Sequence, residues 1–115
     1  MLDKILPRKL RQEDFSINDV QLQKKWKHAR DFGIPENWNT NNAQLFRAAL
    51  TRFVQENSEV IKAEISYINQ PHIIYFDPCT NLQVLTDHSG NFISGWRLSD
   101  AAFFNLVMHG RLGGR

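Results

Sequence analysis

Lys24, Lys25, Lys27 and His28 set three ammonium groups and an imidazole around Trp26, and Ser94 and Trp96 follow much later, two residues apart. These residue types suit metal-free RNA cleavage. The 2′-hydroxyl attacks the neighbouring phosphorus while one group removes its proton, another protonates the departing 5′-oxygen, and cations offset charge growing on the phosphate. Imidazole titrates near neutrality and serves either proton role, and an indole offers a face on which a base can stack. On an ideal helix Lys25 and His28 lie about 60° apart and can face one phosphate. Lys27 points to a different side, suited to a more distant phosphate or to the approach of RNA. Trp26 falls with Leu22 and Ala29 on the apolar side. In a strand, Ser94 and Trp96 share one face, with Gly95 between them admitting a bulge or a close backbone approach. Read without further context, the same residues also describe a solvated basic helix and a core Trp96 with an incidental serine.

The remaining composition narrows the choice. A chain of 115 residues with 42% hydrophobic residues suits one domain with one core. Its net charge of +2 hides a gradient: residues 1–30 hold eight of the 14 basic residues against four acids, so the N-terminal part is positive and the remainder negative. That asymmetry suits a polyanionic partner. No apolar run approaches a membrane span, and residues 1–10 lack the apolar stretch of a signal peptide. The single Cys79 sits in a turn signal, Asp77 to Asn81, and is read as structurally neutral. His28, His72, His88 and His109 have no metal-ligand spacing, and Asp77 and Asp87 flank turns, so neither a metal nor any other cofactor is expected. There is no phosphate-cradling glycine loop and no Gly-x-Ser-x-Gly elbow.

These groups need elements to position them. Residues 1–14, with Pro7 and dense charge, read as a basic arm or linker remnant, and residues 15–115 as the domain. Ser16 and Asp19 match a capping box for a helix carrying Phe15, Leu22, Trp26 and Ala29, ended by Gly33 and Pro35. Asn39 or Thr40 caps a second helix with a Leu45, Phe46, Ala49, Leu50, Phe53 stripe. From Ile61 to Tyr67 the period becomes two. A turn at Asn69 to Pro71 then leads into strands His72–Phe76, Leu82–Thr86 and Phe92–Arg97, the last pair joined by a hairpin at His88–Asn91. Ser99 caps a short final helix closed by Gly110. The expected class is α+β, with N-terminal helices on one face of an antiparallel four-stranded sheet and a short C-terminal helix.

Two stretches, Lys25-Trp26-Lys27-His28-Ala29-Arg30-Asp31-Phe32-Gly33-Ile34 and Gly90-Asn91-Phe92-Ile93-Ser94-Gly95-Trp96-Arg97-Leu98, resemble the helix end and last strand of colicin D nuclease domains. The likeness spans about residues 20 to 115. It departs at Trp26, where tyrosine is expected, and at Arg97, where lysine is expected; ring and charge are kept. The resemblance implies the compact fold shared with barnase and RelE-like ribonucleases, and an anticodon-loop tRNA endonuclease leaving 2′,3′-cyclic phosphate and 5′-hydroxyl ends without a metal. It implies His28 as acid/base catalyst, Lys25 as a catalytic cation, and Ser94 and Trp96 as catalytic-site residues. Lys27, Lys24 and Arg97 are expected to bind substrate. The implied partners are tRNA and a cognate immunity protein that blocks the site, the chain being otherwise monomeric. The implied setting is a larger toxin, secreted or displayed on a cell surface, whose nuclease acts in the target bacterium's cytoplasm. The contrasting expectation is a noncatalytic nucleic-acid or protein-binding module using the same basic helix.

Overall fold

In the computed structural model, which describes residues 4–113, the chain runs β1 (Ile5–Leu6), α1 (Asp19–Lys24), a 3-10 helix (Trp26–Phe32), α2 (Thr40–Gln55), β2 (Ile61–Tyr67), β3 (Gln70–Phe76), β4 (Leu82–Thr86), β5 (Phe92–Arg97), α3 (Asp100–His109) and β6 (Arg111–Leu112). The class is α+β. Strands β2 to β5 form the expected antiparallel meander, and β1 and β6 add two short pieces to the outer edge of β2, making six strands where four were expected. Two-residue strands leave almost no periodicity to read.

The sheet is buried on both faces, so β3 and β4 read as nearly continuous apolar runs rather than alternating ones. On one face Leu22, Ala29, Phe46, Leu50, Phe53 and Val54 from the N-terminal helices close over Ile73, Tyr75, Val84 and Phe92. On the other, α3 contributes Leu106, which packs with Ile65, Tyr67, Ile74, Phe76, Leu85 and Trp96.

Local chemistry corrects four details. The first helix is capped by Asn18, whose side chain accepts from the Val20 and Gln21 amides. Ser16 is instead extended, exchanging backbone hydrogen bonds with Gly90 and Phe92 at 2.9 and 2.8 Å. The turn before β3 is Ile68-Asn69, both at positive φ, as a tight two-residue hairpin demands. Pro71 therefore lies inside β3, where its missing N–H is harmless because β4 pairs only from Ile73 onward. On α2, Leu45 is exposed and Val54 takes its place in the core.

Residues 4–14, expected as an arm or linker, lie against the domain. The Arg8 guanidinium donates to the carbonyls of Val54, Asn57 and Val60. Glu13, nearly buried, accepts from Lys62 at 2.9 Å, from the Lys9 amide at 2.8 Å and from the Tyr75 hydroxyl at 3.3 Å. Burial alone would raise the Glu13 pKa, but these donors outweigh it and hold the carboxyl below its ordinary value. The same burial, with Glu13 alongside, pushes the Tyr75 hydroxyl above its ordinary range.

Candidate active site

The first predicted helix breaks at Lys25, whose backbone (φ −103°, ψ 14°) leaves the helical region before the chain continues as the 3-10 helix. This break organises the site. A 3-10 helix has three residues per turn, so side chains three apart eclipse one another. Trp26, Ala29 and Phe32 thus form a single ridge, and all three belong to the core under the N-terminal helices. Lys25, His28 and Asp31 make a second ridge and Lys27 and Arg30 a third. The ideal-helix reading set Lys27 apart from His28; in the structure both line one cleft.

The 3-10 helix is fastened along the free edge of β5. The Asp31 carboxylate accepts from the Arg97 amide at 3.0 Å, and Gln21 donates its side-chain amide to the Ile93 carbonyl at 2.5 Å. Both bonds satisfy backbone groups that an edge strand otherwise leaves open. Gly95 permits the approach: a Cβ there would meet the Phe32 ring at 3.4 Å and the Gln83 carbonyl at 3.0 Å.

This fastening brings residues 28 and 96 together. The His28 ring lies 5.6 Å from the Trp96 ring, tilted by 34°, and Trp96 lies 6.3 Å from Tyr67, which makes an edge contact with His72 at 5.3 Å. Ser94 stands opposite Leu85, and Trp96 opposite Gln83. Ser94 is fully buried and Trp96 only 2% exposed. The indole is therefore a wall behind the imidazole rather than an open stacking surface. The Ser94 hydroxyl and both polar atoms of the Gln83 amide are buried with no hydrogen-bond partner among the described residues. Gln83 and Tyr67 were not anticipated, because their strand positions looked like ordinary core.

A cleft of about 460 Å³ opens over His28, lined by Lys27, Arg30, Asp31, Arg97, Leu98 and Ser99. It holds three cations and one carboxylate, and that carboxylate is already committed to the Arg97 amide. Of the sequence-predicted residues, His28, Lys27 and Arg97 line the cleft, Lys25 lies one 3-10 turn before His28, and Lys24 is exposed at the end of α1. Ser94 and Trp96 lie beneath the surface. Arg30 was missed: on an ideal helix it falls with Lys27, on the side set apart from His28. Burial lowers the Lys25 pKa, and the charges of Lys27 and Lys24 lower it further. The like charges gathered here give this part of the surface a positive field that favours an approaching phosphate. Another cavity, of about 330 Å³, adjoins Glu13, Lys62 and Tyr75, where Glu13 and Lys62 are already paired with each other.

Comparison with known proteins places this geometry in a family. The family model described as Colicin D matches residues 21–106. Colicin-D of Escherichia coli is 34% identical over 83 residues, which is 71% of this chain and 12% of that protein. The chain therefore corresponds to about an eighth of the length of its curated relative. Among solved structures, a ribonuclease from Escherichia coli complexed with its inhibitor protein superposes with a TM-score of 0.65 at 30% identity, covering 75% of this chain and 95% of that one. Two motifs distant in sequence meet at one cleft, and the family model spans both of them: the chain belongs to the colicin D family.

Proposed function

We propose that residues 15–115 are the nuclease domain of a bacterial toxin, an endoribonuclease that cuts tRNA in the anticodon loop. The observation that carries this reading is the cleft in which His28, walled by Trp96, opens among Lys27, Arg30 and Arg97. The ribonuclease title of the solved neighbour and the Colicin-D name of the curated relative support it. In the proposed step the substrate's 2′-oxygen bonds to phosphorus as the bond from phosphorus to the 5′-oxygen breaks, leaving a 2′,3′-cyclic phosphate and a 5′-hydroxyl. His28 shuttles the proton, taking it from the 2′-hydroxyl and returning one to the departing 5′-oxygen. Lys25 and Lys27 hold the scissile and adjacent phosphates, Lys24 and Arg97 extend the cationic track, and Ser94 and Trp96 back the His28 side of the site from within the sheet without reaching the substrate. No step is assigned to a metal.

An extended single-stranded loop fits a cleft edged by side chains better than a regular duplex does, because its bases can be splayed out. The neighbour's inhibitor supports a cognate immunity protein here, with acidic groups opposed to the cationic rim. The 12% share of the relative supports delivery as one part of a larger secreted or surface-borne toxin that acts in the cytoplasm of the target cell. The test is to incubate the purified chain with total tRNA, with and without EDTA, and map the new ends. Discrete anticodon-loop cuts ending in cyclic phosphate, unchanged by EDTA, are expected. tRNA that is bound but left intact would favour a noncatalytic binding module.

A further inference from the structure

With Trp96 walled in, the site as described has cations and a proton-transfer group but no exposed aromatic face for a base. One lies on the far side of the Lys27–Arg30 ridge. There a second cleft, of about 350 Å³, is lined by Trp26, Lys27, Arg30 and Glu36. Trp26 is fixed in place: its indole N–H donates to the Glu36 carbonyl at 2.6 Å, and its ring meets Phe46 at 5.7 Å on the core side. Against Trp26 stands Trp38, edge-on at 5.0 Å and 43% exposed. Trp38 thus keeps much of its indole surface open to solvent while the second indole braces it. Beside Trp26 in this cleft stand two cations, Lys27 and Arg30, that also line the His28 cleft. The Glu36 carboxylate pairs with Arg30 at 3.7 Å, both side chains being largely solvent-exposed. Such a pair is weak and readily exchanged.

We infer that the cleft beside Trp26 is a second nucleotide subsite, in which a base flanking the cut stacks on the exposed ring of Trp38, packed against Trp26. Lys27 and Arg30, shared by both clefts, hold the phosphates between that base and His28. This inference rests on the ribonuclease reading of the His28 cleft. The occupant follows from the chemistry: an aromatic face beside a double cationic rim complements a base joined to phosphates, and single-stranded RNA is bound by that combination of stacking and charge. Glu36, once released from Arg30, is acceptor-only and faces the rim, where it suits a base that presents amino or imino N–H groups.

The test uses the full chain carrying His28→Ala, so that substrate stays intact, and two probes: a fluorescein-labelled anticodon stem-loop RNA, and inorganic polyphosphate, which carries backbone-like charge without bases. Adding Trp38→Ala is expected to weaken RNA binding about five- to a hundredfold while leaving polyphosphate binding unchanged. Adding Trp38→Phe is expected to restore most of the RNA affinity. Lys27→Ala is expected to weaken both probes. Unchanged RNA affinity on Trp38→Ala, in a chain whose wild type cuts tRNA, would overturn the subsite and spare the nuclease reading. Equal losses on both probes would show a collapsed loop instead of lost stacking, and would also overturn it. A wild-type chain that neither binds nor cuts RNA would remove both.

Discussion

Replacing Gln83 by methionine is expected to stabilise the protein. Gln83 is fully buried on β4, between Phe76 and Trp96 on its two neighbouring strands, and neither polar atom of its amide has a hydrogen-bond partner among the described residues. A buried polar group left without a partner costs about 1–3 kcal/mol. Methionine has the same unbranched length, so Gln83→Met removes that cost with little change in volume. For a domain of this size, a gain of about 1–3 kcal/mol corresponds to a rise of roughly 5–15 °C in Tm. Thermal unfolding followed by circular dichroism measures the shift, and urea unfolding with an unchanged slope confirms that the folded state is the one altered. A Tm below that of the wild type would refute the reasoning, because it would mean that the amide is satisfied and contributes to the fold.

Further predictions address the N-terminal segment, a turn and the sheet floor. Glu13→Gln breaks the pair with Lys62, whose two side chains are 5% and 21% exposed, and is expected to cost about 2–4 kcal/mol at neutral pH in a urea titration. Because the folded Glu13 pKa is held below its unfolded value, that contribution is complete above the unfolded pKa of about 4.3. It is lost as pH falls through the folded value, so the gap between wild type and variant is expected to close in acid. Gly90→Ala places a Cβ 2.2 Å from the Asp14 carbonyl oxygen at φ +88°, and is expected to cost at least about 2 kcal/mol in the same assay. Ser94→Ala removes a buried hydroxyl that has no partner among the described residues, so by the reasoning given for Gln83 Tm is expected to rise by a few degrees.

What the sequence revealed, and what it hid, follows from the range of the interactions involved. The four meander strands, the Asn39 and Ser99 caps and the glycine ends at Gly33 and Gly110 depend on neighbours a few residues away, and all were readable. The break at Lys25 was not, because the apolar pattern Leu22, Trp26, Ala29 fits an α-helix as well as it fits a short helix followed by a 3-10 turn. On a helix of either kind Lys27 and Arg30 point about 100° or more away from His28, so Lys27 was set apart and Arg30 overlooked; that all three line one cleft with Arg97 depends on where β5 runs against the 3-10 helix. The meeting of His28 with Trp96 was legible only through the family resemblance, since it depends on Asp31 and Gln21 fastening two elements more than 60 residues apart. The burial of Trp96 matches the core reading that its sequence also allowed; that Ser94 is buried with it depends on α3 covering the second sheet face, a tertiary fact. Likewise, Arg8 reads as one more surface charge until the carbonyls around it are known.

The central claim is that the His28 imidazole moves the proton in a cleft whose cations bind the phosphates. Single-turnover cleavage of tRNA by wild type and by His28→Ala in EDTA, with the RNA affinity of each measured in parallel, tests it most directly. The rate is expected to fall at least about a hundred- to ten-thousandfold while affinity changes less than about threefold. A His28→Ala chain that still cuts within tenfold of the wild-type rate would contradict it.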